Sequence, residues 1–177
     1  MERLSVHEYF RLAETMRPME LVYGVVREPP APRYGHQSIV TRLTALLFAH
    51  VEEHHLGRLC VSPVDVVLDE HAALVVQPDV IFVSNERLAI VRDRIWGPPD
   101  LVVEVLSPRT AARDRTTKLE WYRRYGVREG WLVDYRNTCV EVVDLQSVTA
   151  PRLFAGTEPM RSAVLPDWNV PADHVFG

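Results

Sequence analysis

Two carboxylates stand in strand-like segments of this chain where apolar residues are expected. Glu104 lies in the middle of LVVEVL (101–106), and Asp79 follows Pro78 at the start of DVIFV (79–83). Because side chains alternate along a strand, Glu104 shares its face with apolar residues on either side. An ionised carboxylate there requires a counter-charge, a metal or a proton, since isolated burial costs several kcal/mol.

If these two strands are neighbours, Asp79 and Glu104 reach one shared point at the strand ends. Two carboxylates so close repel each other unless a positive group lies between them. Hard oxygen ligands select magnesium, manganese or calcium rather than zinc. The pair therefore predicts a site for one of these divalent metals. A purely structural role for Glu104 is the competing interpretation.

A lysine follows in the helix-like segment 112–125. Residues at spacings of four, four and three form one stripe of this helix: Asp114, Lys118, Tyr122 and Tyr125. The two tyrosines favour a stripe that faces the protein and carries Lys118 inward. Near a metal-bound phosphate, a lysine orients water or stabilises the charge of the transition state. The alternative is an exposed Asp114–Lys118 pair, worth about 0.3–0.5 kcal/mol.

Charge is unevenly distributed along the chain. The whole chain has a formal net charge of −4, whereas residues 109–128 contain seven basic and two acidic residues. Such a patch suits a polyanionic phosphate substrate, with Arg109, Arg113 and Arg115 as candidates to contact flanking phosphates. The alternative is a solvated helix whose arginines serve solubility.

The remaining pattern indicates the elements that must position these residues. Ser5 and Glu8 fit a capping box before a helix at 6–14. The other predicted elements are a strand or hairpin at 20–28, a helix at 36–55, strands at 59–69, 75–83 and 100–107, a helix at 111–125, a hairpin of 130–135 with 139–145, and an irregular tail. This order predicts an α/β or α+β domain with a mixed sheet flanked by helices.

Asp100 opens the central strand, either as a supporting residue of the site or as a turn residue.

Length and composition predict one domain. The chain has 177 residues, of which 47% are hydrophobic, enough for a single core. Cys60 and Cys139 form no metal-binding pair, and no apolar run approaches the roughly 18 residues that span a bilayer. We therefore expect a cytoplasmic protein with reduced thiols and no membrane segment.

Several of these segments together resemble a known family. The resemblance rests on QPDVIFV (77–83), PPDLVVEVLSP (98–108), Lys118, Tyr122, Gly126 and GWLVDY (130–135). They resemble the Uma-type restriction-endonuclease family of bacteria, which belongs to the PD-(D/E)XK nuclease superfamily. The likeness runs from GVV (24–26) through the hairpin at 130–145.

The resemblance implies a restriction-endonuclease-like fold and magnesium-dependent cleavage of phosphodiesters. Asp79 then corresponds to the aspartate of the PD element, and Glu104 to the acid of the (D/E)XK element. Leu106 stands where the superfamily expects a lysine, which makes Lys118 the replacement candidate. A second departure is at the start of the 36–55 helix, where His36 and Gln37 replace an acid. His36 either approaches the site or is a satisfied core histidine.

We therefore expect a single domain over 1–177 that acts as an endonuclease, with DNA as its substrate. An N-terminal helix and hairpin (1–35) precede a nuclease-like core (36–145), and a C-terminal tail (146–177) packs on it. Asp79, Glu104 and Lys118 are the expected catalytic residues, with Asp100, Asp114 and Tyr122 as support. A homodimer is expected if both strands are cut, because paired cuts need two sites.

Two rival functions stay open at this point. A nuclease-like scaffold can lose activity and serve as a binding module, although such copies usually lose one of the site residues. HVEEH (50–54) also matches the H-x-x-E-H pattern of zinc hydrolases, with His50 and His54 as ligands and Glu129 as a third.

Overall fold

Two mixed β-sheets and three α-helices form the framework of the protein, here a computed structural model that describes residues 3–12, 17–107 and 114–177. The strands are β1 (Glu20–Val22), β2 (Val25–Arg27), β3 (Gly57–Val61), β4 (Val66–Asp69), β5 (Leu74–Val76), β6 (Val80–Ser84), β7 (Ile95–Trp96), β8 (Leu101–Val105), β9 (Glu129–Asp134), β10 (Cys139–Asp144) and β11 (Arg152–Ala155). The helices are α1 (Val6–Tyr9), α2 (Tyr34–Glu53) and α3 (Leu119–Tyr125), and a π-helical turn (Asp114–Lys118) leads into α3. Short 3₁₀ helices cover Asn85–Ile90 and Ala172–Val175.

The larger sheet has six strands in the order β11-β10-β9-β8-β6-β3. Strand β8 is central and pairs antiparallel with β6 and parallel with β9. The smaller sheet has five strands in the order β2-β1-β5-β4-β7, with only β4 and β7 parallel. The predicted α+β fold with a mixed sheet is therefore confirmed, with two sheets instead of one.

Strand β8 is buried on both faces, as its nearly continuous apolar sequence requires. One face, with Leu101 and Val103, packs against α2 and the C-terminal tail. The other face, with Val102, packs against α3 and the smaller sheet. The core thus lies in two layers on either side of the six-stranded sheet.

Two predicted strands were wrong in the same way. The stretch 59–69 is divided between β3 and β4, and the stretch 75–83 is divided between β5 and β6. In each case the two halves belong to different sheets. Pro63 and Pro78 fall in the breaks, and proline cannot donate a ladder hydrogen bond.

Other predicted elements stand close to their expected positions. Ser5 and Glu8 form the predicted capping box, and the hairpins β1–β2 and β9–β10 are present. The tail was predicted to be irregular, but it adds β11 to the edge of the larger sheet. No helix in the described ranges is long and apolar enough to cross a membrane.

Substitution of Gly57 tests the close pairing of β3 with β6. A Cβ at Gly57 would lie 2.1 Å from the carbonyl oxygen of Val83, so Gly57→Ala must push two strands apart. We expect the free energy of unfolding, measured by urea denaturation, to fall by about 1–3 kcal/mol. Gly35→Ala is the matched control, because its Cβ would meet Tyr135 at an ordinary 3.6 Å. Equal stability of the two variants would contradict the β3–β6 geometry.

The thiol of Cys60 offers a second test of packing. Burial raises the pKa of this thiol to about 11, so little thiolate exists near neutral pH. In a Cys139→Ser background, we expect slow alkylation at pH 7 that accelerates about tenfold per pH unit up to about pH 11. Fast alkylation that levels off below pH 9 would show that Cys60 is more exposed than the fold requires.

Candidate active site beside the central strand

Asp79 and Glu104 face each other across neighbouring strands. Val80 pairs with Val103 in the antiparallel β6–β8 ladder, so the next pair outward is Asp79 with Glu104. By strand alternation Glu104 points to the side of Val102, which is covered by α3 and the smaller sheet. Asp79 and Glu104 line the same cavity. The structure therefore brings the two predicted carboxylates to one place.

The carboxylate of Asp79 is fixed by two elements besides its own. Its Oδ2 accepts a hydrogen bond of 2.7 Å from the backbone N–H of Val105 and lies 3.3 Å from Nε2 of His36 in α2. The carbonyl oxygen of Asp79 accepts from the N–H of Ser62, just after β3. Asp79 is thus tied to the end of β8, the start of α2 and the end of β3.

His36 lies between two oxygen acceptors. Its Nδ1 is 3.2 Å from Oε1 of Gln37, and its Nε2 faces Asp79. Burial lowers the pKa of His36, but hydrogen bonds to Asp79 and Gln37, with the charges of Asp79 and Glu104, act the other way. The net effect is a raised pKa. The imidazolium form is therefore favoured beside Asp79.

Glu104 is buried and paired with the predicted lysine. Its Oε1 accepts hydrogen bonds from Nζ of Lys118 at 2.9 Å and from the hydroxyl of Tyr122 at 2.5 Å. The same Nζ lies 2.9 Å from Oε1 of Glu20 in β1. Glu20, Glu104 and Lys118 are each at most 6% exposed. The π-helical turn before α3 places Lys118 between the two sheets.

Glu20 is a site residue that sequence reasoning missed. Glu20 begins β1 as an acid followed by apolar residues. Asp100 shows the same pattern and lies elsewhere, so the pattern alone does not identify a site residue. A clearer signal was available for Lys118, because it is the only lysine beside 19 arginines. Lysine is a compact charge that arginine does not replace in a confined site.

These residues line a cavity of about 970 Å³. Glu20, Glu104 and Lys118 are the buried charged residues of its lining, and with the half-buried Asp79 they form what we call its floor. His36 and Gln37 line the cavity from α2. Its exposed lining includes Arg17, Glu28, Arg33 and Arg136. Among the described residues, the floor carries three carboxylates, which the ammonium of Lys118 and the imidazole of His36 only partly offset. The exposed lining, which we call the mouth, is mainly basic.

Asp100, predicted as a supporting residue, lies away from the other predicted site residues. It lies at the opposite end of β8 from Glu104, about 13 Å away at the usual strand rise. It is fully buried, accepts a 2.7 Å hydrogen bond from the N–H of Ser84, and pairs with Arg128 at 3.1 Å and Arg87 at 3.6 Å. Alternation put Asp100 on the face of Glu104, but strand length separates them.

Arg115, predicted as a phosphate contact, is engaged in ion pairs within the protein. Its guanidinium contacts the carboxylates of Glu141 and Asp134 on β10 and β9, so its charge is already neutralised. Arg109 and Arg113 and the side chain of Asp114 lie outside the described residues. In the described part of the basic segment, Arg115 and Arg128 serve internal ion pairs.

The zinc interpretation finds no support in the described residues. Nε2 of His50 lies 2.9 Å from the carbonyl oxygen of Pro166, and Nδ1 of His54 lies 3.0 Å from that of His50. Glu129 instead accepts hydrogen bonds from Trp131, Ser162 and Ala163. Within the described ranges, no three His, Cys, Asp or Glu side chains are arranged to hold a metal.

The donor set at the cavity floor nevertheless fits a hard cation. Magnesium keeps several waters and is usually bound through one or two carboxylates together with substrate phosphates. Asp79 and Glu104 supply those carboxylates, and the excess of negative charge around them favours a cation. A site completed by water and phosphate needs no third protein ligand.

Known proteins similar to this chain include a family and a solved structure. A family model described as "Uma2: Putative restriction endonuclease" matches residues 6–173. The chain belongs to the Uma2 family. The resemblance inferred from the sequence is thereby confirmed. No curated protein matches the chain.

The solved structure is described as "a putative nuclease belonging to DUF820 from Anabaena variabilis ATCC 29413". Its TM-score with this chain is 0.81, and the match covers 98% of this chain and 97% of that one. The two sequences are 18% identical, so the likeness establishes the fold of this Uma2-family protein.

Removal of the buried ammonium should destabilise the protein. Lys118→Met leaves Glu20 and Glu104 buried without their shared cation. We expect the free energy of unfolding at pH 7 to fall by about 3 kcal/mol in urea denaturation. Arg123→Met, an exposed change on the same helix, should stay within about 0.5 kcal/mol.

A second variant separates this charge effect from lost packing. Adding Glu104→Gln to Lys118→Met should restore part of the stability, because the amide is neutral and still accepts from Tyr122. A double variant as unstable as the sum of the two single variants would contradict the coupling of Lys118 with Glu104.

Proposed function

We propose that this Uma2-family protein is a metal-dependent endonuclease that hydrolyses phosphodiester bonds, with DNA as substrate. The observation that carries the proposal is the convergence of Asp79, Glu104 and Lys118 at the floor of one cavity. Membership in a family described as a restriction endonuclease supports the same reaction class. Mg²⁺ is the proposed cofactor, and Mn²⁺ would take its place.

Each site residue has a distinct role in this proposal. Asp79 and Glu104 would hold the metal, which would supply polarisation of the scissile phosphate and a lower pKa of its bound water. Lys118 orients the attacking water or stabilises the negative charge that develops on the phosphate. Tyr122 fixes Glu104 through its 2.5 Å hydrogen bond.

Two further residues hold the site in position. Glu20 holds Lys118 through the 2.9 Å contact between them, and His36 orients Asp79 through the ring nitrogen 3.3 Å away. Pre-set geometry of this kind matters because small displacements of reacting groups cost large factors in rate.

The cellular setting follows from the same proposal. Cys60 and Cys139 are free thiols, which suits the reducing cytoplasm where DNA is accessible to a bacterial-type nuclease. A homodimer would supply the two sites that a double-strand cut needs.

Calorimetry and plasmid nicking test the metal and the reaction together. The wild type should bind Mg²⁺ or Mn²⁺ and nick supercoiled plasmid. The variant Glu104→Gln should lose metal binding and nick the plasmid at least about 100-fold more slowly. Glu52→Gln, the same change at an exposed position of α2, should match the wild type. Unfolding curves of all three would show that the site variant is folded.

The single lysine provides an independent measurement. With ¹³Cε-labelled lysine, one side-chain resonance reports on Lys118, and Mn²⁺ should broaden it in the wild type but not in Glu104→Gln. A folded wild type that binds no divalent metal and nicks no plasmid would overturn the enzyme proposal. The protein would then be a nuclease-like binding module.

A further inference from the structure

An exposed aromatic residue stands beside the cavity lining in the chain, although it is not itself part of that lining. Tyr34, the first residue of α2, is 89% exposed. It lies between residues that line the cavity, Arg33 before it and His36 and Gln37 after it. A tyrosine this exposed contributes little to packing, and its ring is accessible to a ligand.

A second tyrosine lies at the same corner. The Cβ position of Gly35 is 3.6 Å from the ring of Tyr135, so this ring packs against the first turn of α2. Tyr135 also lines the cavity, in the turn after β9. Tyr135 is thus part of the cavity wall, and Tyr34 is the exposed residue that directly follows Arg33 of the lining.

The charges around this corner suit a phosphate backbone. Arg33 and Arg136 are exposed and line the cavity next to Tyr34 and Tyr135 in the chain, and Glu28 is an exposed acid of the same lining. The floor is acidic through Asp79 and Glu104. Phosphates are therefore attracted at the mouth and repelled from the floor unless a cation is bound there.

The shape of the cavity limits what can enter. Its volume of about 970 Å³ lies at the upper end of small-ligand pockets, which hold about 300–1,000 Å³. The segment from Pro29 to Pro32 forms one wall, and three of its four residues are prolines with fixed φ. A space of this size accepts a few unpaired nucleotides, but it is too small for a base-paired helix.

We infer that the mouth binds unpaired nucleotides, with a base stacked on Tyr34 and the adjacent phosphates paired with Arg33 and Arg136. This inference rests on the proposed nuclease function and names its substrate as single-stranded or locally unpaired DNA. Stacking of bases on aromatic rings beside a basic groove is how proteins bind single strands without reading their sequence. Unpaired ends and loops in duplex DNA would enter the same way.

Binding experiments with defined oligonucleotides test this inference. Fluorescence anisotropy would compare a labelled single strand of about 15 nucleotides with the same strand in a duplex, in Ca²⁺ and low salt. The wild type should prefer the single strand, and Tyr34→Ala should weaken that binding about fivefold or more. Phe48→Ala, a 53% exposed aromatic further along α2, should change it less than about twofold.

The arginines have their own control. Arg33→Gln and Arg136→Gln should each weaken binding of the single strand and reduce its salt dependence by about one ion. Arg161→Gln, an exposed arginine outside the cavity lining, should do neither. An RNA strand of the same sequence shows whether the 2′-hydroxyl is tolerated, and tighter binding of RNA would overturn DNA as the substrate.

The outcomes separate this inference from the proposed function. If plasmid is nicked with metal but duplex binds as tightly as single strand, or Tyr34→Ala binds normally, the inference fails and the nuclease proposal stands. Preferential binding that depends on Tyr34, without any cleavage, would support the binding mode and overturn the nuclease. Absence of both binding and cleavage would overturn both.

Discussion

The buried ammonium of Lys118 joins the parts of this structure. It lies 2.9 Å from Glu104 in the central strand of the larger sheet and 2.9 Å from Glu20 in the smaller sheet. Moving charges out of water costs desolvation free energy, which is offset only when opposite charges and hydrogen bonds are well placed. The packing of α3 between the sheets is therefore also an electrostatic requirement.

The same interaction prepares the candidate site. Glu104 cannot turn away from the cavity without leaving both Lys118 and Tyr122. Asp79 is fixed independently by a backbone N–H of β8 and by His36. Two carboxylates that would repel each other are held side by side because different elements anchor each one. That excess of negative charge is stable in a fold and favourable for a cation.

Patterning of single residues predicted part of this site. Glu104 was recognisable because a lone acid in an apolar strand needs compensation, and Asp79 because it begins the neighbouring strand. Asp100 shows the limit of that reasoning, because alternation assigns it the same face but not the same end of β8. Its partners Arg87 and Arg128 come from a short 3₁₀ helix and a loop, whose positions no local pattern specifies.

Local sequence by itself determined the strand character of β8, the capping box of α1, the hairpins and the family. These follow from side-chain period, turn chemistry and motif spacing, which act over a few residues. Only the tertiary structure decided that 59–69 and 75–83 each supply strands to two sheets, which brings Glu20 to Lys118. It also decided that Arg115 pairs internally, while the basic mouth is built from Arg33 and Arg136. Such pairings join residues far apart in the chain, and the chain packing that brings them together is set by burial of the whole core.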